Sequence, residues 1–206
     1  MAAPAQHANQ EETSTHRARA MDVLGEVVSS KVRATVLAWA VPRLDTPFSL
    51  TELSRAVDSP ISSLQHECYK LERLGILQGR REGASRRYRV QLDHRLTRPL
   101  IRLVIAALGL ERVLADAISE AGTFELALLA GQDPVDGRFL LALIGEADLL
   151  GLDRAQQRVG LALGIDPEHI ELAYFRAGDH PLPSHPLHRH LEERPIQPII
   201  GTWPPR

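Results

Sequence analysis

Hydrogen-bonding side chains on one short helix, followed at once by a run of arginines, are the residues of this sequence best suited to chemistry. Between Pro60 and Gly75 the apolar residues Ile61, Leu64, Cys68 and Leu71 recur at spacings of three and four, which predicts a helix with one apolar face. Ser62, Ser63, His66, Tyr69, Lys70 and Arg73 fall on the other side. That face is short, polar and hydrogen-bonding. The next segment, ILQGRREGASRRYRVQ, reads as two strands around Glu82-Gly83-Ala84-Ser85, with Arg80, Arg81, Arg86 and Arg87 on its arms. A basic run beside such a face is one of the footprints of nucleic-acid binding. The plainer alternatives are a solvated helix face and an edge hairpin guarded by charge.

The elements that must position these groups are legible upstream. Val23, Leu24, Val27, Val28, Val32, Val36, Leu37 and Val41 have helical spacing, with Ser29-Ser30 a point where two helices could divide. Ser49 precedes Glu52 by three residues, the pattern of a capping box, so a helix is expected over 50–57. It should stop at Asp58-Ser59-Pro60, where the proline suits the first turn of the next helix and either polar residue could cap it. That second helix should run to about Leu74 and end at Gly75. Cys68 lies on the apolar stripe and reads as a packing residue.

Composition bounds the rest. With 206 residues, 44% apolar and 24% charged, the chain can bury one or two cores, and two compact units are expected. Its formal charge of −2 conceals an asymmetry: residues 22–98 hold 13 Lys and Arg against 9 Asp and Glu, while residues 99–206 hold 9 against 15. The basic excess therefore coincides with the helix and hairpin. One cysteine excludes an intramolecular disulfide and a multi-thiolate metal site, so a reducing, cytoplasmic setting is expected. No apolar run reaches the length of a membrane span, and residues 1–20 read as a disordered tail without the features of an export signal.

Residues 22–92 resemble the winged helix-turn-helix domains of ArsR-type regulators. SPISSLQHECYKLERLGIL is similar to their recognition helix and its exit, and RREGASRRYRV to their wing. The resemblance implies a DNA-binding domain over 21–95 whose second helix enters the major groove of double-stranded DNA. Ser62, Ser63, Gln65 and His66 would read bases, and Lys70, Arg80, Arg81, Arg86 and Arg87 would contact phosphates. It also implies a homodimer on paired half-sites, and it makes the apolar helical connector expected over 96–120 either a dimer seam or a packing element of its own domain. The lone thiol argues against thiolate metal sensing.

In the second half FELALLAG, FLLALIGE and HIELAYF read as strands and LGLDRAQQRVGLALG as a helix, a small α/β layer. Over about 100–201 the chain resembles the minimal nucleotidyltransferase domains often fused behind such winged helices, with the domain itself expected over 121–203. Those place a Gly-Ser turn before an Asp-x-Asp strand that holds divalent metal. Here Gln132 stands at the serine, and Arg138 and Leu140 at the two carboxylates, with Asp133 and Asp136 only in the intervening loop. The resemblance thus implies a degenerate, catalytically inactive domain, with no cofactor or resident metal, kept for assembly or for sensing a small-molecule effector. Asp179, His180, His185, His188 and His190 could in principle ligate zinc or nickel, but the proline density around them favours a surface loop over a helix. The expected fold class is α+β, an N-terminal winged helix-turn-helix followed by a small α/β unit, and the expected function is transcription regulation. An active nucleotidyltransferase and a protein-binding winged helix are the competing classes.

Overall fold

The computed structural model describes residue 15 and residues 18–133, 135–179, 181 and 184–203. The chain is a mixed α+β protein that divides into two compact units, Met1–Gly109 and Leu110–Arg206. Of the expected tail, residues 1–14, 16 and 17 lie outside the described residues, while 18–20 belong to a helix. The expected connector proves to be two helices, α5 (Thr97–Leu108) and α6 (Leu110–Ser119), parted at Gly109 with φ +90°. The unit boundary falls on that glycine.

The first unit runs α1 (residues 18–27), α2 (Lys31–Ala40), β1 (Phe48–Ser49), α3 (Leu50–Val57), α4 (Ile61–Arg73), β2 (Leu77–Glu82), β3 (Ser85–Val90) and α5. α1 and α2 divide at the two serines. Ser29 takes a left-handed φ of 56°, and the Ser30 hydroxyl accepts the Arg33 amide at 3.1 Å to start α2. α3 begins with a complete capping box, since Ser49 Oγ accepts the Glu52 amide at 3.2 Å while the Ser49 amide donates to Glu52 Oε2 at 2.7 Å.

The α3–α4 junction differs from expectation. Asp58 turns left-handed to end α3, and the Ser59 hydroxyl donates back to the Val57 carbonyl. Neither side chain is left to cap α4, and Pro60 occupies the cap position itself. α4 buries Leu64, Cys68 and Leu71, whereas Ile61, at its first position, is 45% exposed. Trp39, Phe48 and Tyr88 stack in series, with centroids 5.1 and 5.9 Å apart, and seat the sheet against the helices. The sheet order is β1-β3-β2, antiparallel throughout.

The second unit runs α6, β4 (Thr123–Ala130), β5 (Phe139–Glu146), α7 (Leu149–Leu163), β6 (Ile170–Arg176), α8 (Pro186–Glu192) and β7 (Ile196–Ile200). Its sheet order is β6-β5-β4-β7; β5 and β6 are parallel, joined across α7, and the other pairs are antiparallel. β4 and β5 are near-continuous apolar runs because both their faces are buried. Leu126, Leu128, Ala130, Leu140, Ala142 and Ile144 pack with Leu187 and Leu191 of α8. α8 corrects the expected proline-rich loop. Pro186 sits in the first turn, where no amide hydrogen is needed, and His185 Nδ1 accepts the Leu187 amide at 3.2 Å, so proline starts this helix instead of preventing it.

Candidate nucleic-acid interface

Helical periodicity and strand alternation together decide which of the polar residues meet. On α4, Ser62, Gln65, His66 and Tyr69 share one face and line an open groove of about 410 Å³, whose other wall is Arg86 and Tyr88 of β3, with Glu72 between. Ser62, Gln65 and His66 are exposed, as is Tyr69. Tyr88 is buried, and burial pushes its phenol above the usual range.

Glu72 joins helix to hairpin. Its Oε1 accepts from Arg86 Nη2 at 2.6 Å and from the Gly79 amide at 3.1 Å, and the Arg86 guanidinium lies 5.7 Å from the centre of the Tyr88 ring. The Glu72 carboxylate raises the Arg86 pKa further above its ordinary value. A Cβ at 79 would come within 2.5 Å of Arg86 Nε and 2.8 Å of Glu72 Oε1, so a larger residue there would have to displace this ion pair.

The remaining expected contacts lie elsewhere. Ser63 is half-buried and outside the groove. Lys70 Nζ is 3.0 Å from Glu67 Oε1, and Glu67, itself buried, also accepts from Arg33 Nε at 2.9 Å. Burial alone would raise the Glu67 pKa, but the bonds from Lys70 and Arg33 outweigh it and hold the carboxyl below its usual value. Lys70 thus pairs within the domain while its side chain stays 40% exposed. Across β2 and β3, Arg81 pairs with Arg86 and Arg80 with Arg87, so the four arginines divide two and two between the hairpin faces. Arg81 shares the α4 side with Arg86. Arg87 lies on the opposite side, donating to the Pro47 carbonyl at 2.7 Å and to Glu52 Oε1 at 3.2 Å.

Sequence reasoning set Tyr69 on the polar face of the helix without giving it a contact, and it left Glu72 and Tyr88 out of the site. Cys68 is a packing residue, fully buried, its thiol pushed up to about 12 chiefly by burial.

In the second unit, the residues compared above with metal-binding carboxylates have other surroundings. Leu140 is 2% exposed within the apolar cluster. In the loop, Asp133 Oδ1 accepts the amides of Val135 at 2.7 Å and Asp136 at 3.3 Å, Oδ2 accepts from Arg194, and Asp136 Oδ1 accepts the Arg138 amide at 2.9 Å. The Val135 amide, followed by that of Asp136 and the Arg194 charge, holds the Asp133 carboxyl low. The histidines serve separate partners. His185 caps α8, His188 Nε2 is 3.0 Å from the Pro181 carbonyl and its ring 5.0 Å from that of Trp203, and His190 Nδ1 lies 3.4 Å from Arg194 Nη2. His180 lies outside the described residues. Among the described residues, no group of three or more His, Cys, Asp or Glu is placed to hold a metal ion, and no helix is long and apolar enough to cross a membrane.

No protein-family model matches this chain, and neither do the curated proteins or the solved structures compared with it.

Proposed function

We propose that the chain is a sequence-specific regulator of transcription that binds double-stranded DNA through a winged helix-turn-helix in its first unit. The observation that carries the reading is the groove between α4 and β3, where Ser62, Gln65 and His66 stand exposed beside Arg86 and Tyr88. A helix presenting such side chains from its first two turns suits the major groove, where each base pair displays its own donor and acceptor pattern. Arg81 and Arg86 hold the backbone, and the Glu72 pair fixes the angle of the hairpin to the helix. The protein acts as a homodimer on two half-sites. The second unit is a degenerate nucleotidyltransferase-like domain that mediates assembly or receives a small-molecule effector. Its loop carboxylates serve the fold, and no transfer reaction is assigned to it.

Selection from a pool of random duplexes, with retention followed as salt is raised, tests this. The expected result is an enriched, two-fold symmetric sequence whose affinity falls steeply with salt. A pool that stays random, with retention indifferent to Arg81→Ala, would instead favour a protein partner for the same groove. Labelled nucleotide transferred to any acceptor in the presence of magnesium would overturn the assignment of the second unit.

A further inference from the structure

The hairpin has a second polar face, turned away from α4 and outside its groove, whose Arg80 and Arg87 the sequence alone would give to phosphates. Strand alternation puts Arg80 on it from β2 and Arg87 and Arg89 from β3. Arg80 stands directly opposite Arg87, and Arg89 is the diagonal neighbour of Arg80. Like charges so placed destabilise a strand pair. Packing gives no reason for them, because the sheet is anchored through its other face by the buried residues Leu77, Tyr88 and Val90.

The three cations are not equivalent. Arg87 is fixed in advance by the Pro47 carbonyl and Glu52, with Glu82 3.7 Å from its Nε. Among the described residues Arg80 and Arg89 have no hydrogen-bond or ion-pair partner of their own, and both are exposed. All three border a cleft of about 400 Å³, floored by the strands and closed at one end by Pro47 and the segment after β3. Glu82 and Asp93 also line the cleft, so three guanidinium groups meet two carboxylates there. That volume is within the range of small-molecule sites, and paired guanidinium forks match the oxygens of phosphates and carboxylates.

We propose that this cleft binds a small multivalent oxyanion, a diphosphate or a compact polycarboxylate, held between Arg80 and Arg89 with Arg87 as the fixed third donor. The anion removes the mutual repulsion of the arginines, and the site stands whether or not the α4 groove meets DNA. It also gives a small-molecule effector a place on the hairpin.

The test is calorimetric titration of the full chain with inorganic pyrophosphate at constant ionic strength. A saturable one-to-one isotherm is expected, weakened at least about tenfold in the Arg80→Gln/Arg89→Gln double variant and about threefold in either single variant. Arg81→Gln, on the other face, should leave it within about twofold. No saturable binding, or equal weakening by Arg81→Gln, overturns the proposal. Titration in the presence of a selected duplex separates the two sources of phosphate. Pyrophosphate should still bind the protein–duplex complex, whereas mutual exclusion would assign these arginines to the nucleic-acid backbone and also overturn it. If no duplex is ever selected, the titration without DNA decides the matter alone.

Discussion

The two units treat their polar groups in opposite ways. On the α4 groove, Ser62, Gln65, His66 and Tyr69 stand in solvent, and the one strong ion pair beneath them, Glu72 with Arg86, orients a wall of the groove. At the β4–β5 loop of the second unit the polar groups are consumed: Asp133 is taken by two amides and Arg194, Asp136 by an amide, and the strand beyond is apolar and covered by α8. A binding surface keeps donors and acceptors available at the cost of solvating them. The loop of the second unit spends its carboxylates on its own amides, and the strand after it is closed under α8.

The largest effect is expected where that closure is reversed. Leu140→Asp, the substitution that the proposed nucleotidyltransferase likeness suggests, places a charge in the cluster of Leu128, Ile144 and Leu187. We expect a loss of about 3–4 kcal/mol in denaturant unfolding, not relieved by magnesium. Recovery of stability on adding magnesium, or with Arg138→Asp added, would show a latent metal site and break the contrast.

Next in size is the buried support of α4. Glu67→Gln leaves Arg33 and Lys70 without their shared carboxylate and should cost about 2–3 kcal/mol at neutral pH. The pH dependence has a definite sign. The folded Glu67 pKa lies below its ordinary 4.5, so its stabilisation is complete above that value and is lost as pH falls through the folded pKa. Glu52 and Asp133, also lowered, add to the same acid-side loss, Glu52 chiefly through the Ser49 amide and Asp133 chiefly through that of Val135. Unfolding followed between pH 6 and 3 should therefore be less steep in Glu67→Gln than in the parent; equal slopes would remove Glu67 from the account.

On the groove itself, Gln65→Ala should cost about 1–2 kcal/mol for the selected duplex and much less for one changed at a single base pair, whereas Arg81→Ala should weaken every duplex alike and lower the salt slope by about 1. If both variants lose affinity uniformly, α4 contributes charge and shape but no base reading.

How much of this was visible beforehand depended on the range of the interaction. α3, α4 and the hairpin turn are announced by neighbours: Ser49 with Glu52, Leu64-Cys68-Leu71, and the glycine at 83. The mixed α+β class follows from the same local patterns. The partners that decide the site are distant. Arg33 reaches Glu67 across 34 residues and Arg86 reaches Glu72 across 14, and neither pairing has a local signature. Alternation tells that Arg80 and Arg81 oppose one another, but which faces α4 is settled by the burial of Leu77 and Tyr88. α8 was hidden because proline reads as a breaker unless its place at the helix start is known.

The smallest expected effect concerns the start of α3, which anchors the far side of the hairpin. Ser49→Ala removes the bond to the Glu52 amide but leaves Glu52 Oε2 on the residue-49 amide and Oε1 on Arg87 Nη1. Half of the capping box survives, so about 1 kcal/mol is expected. Glu52→Ala removes the reciprocal bond and also one partner of Arg87, leaving it the Pro47 carbonyl and the longer approach to Glu82. It should therefore match Ser49→Ala in stability while loosening Arg87, which a weaker pyrophosphate isotherm would register and an unchanged one would contradict. The same helix start would then support one hairpin face only, the α4 groove being held separately through Glu72.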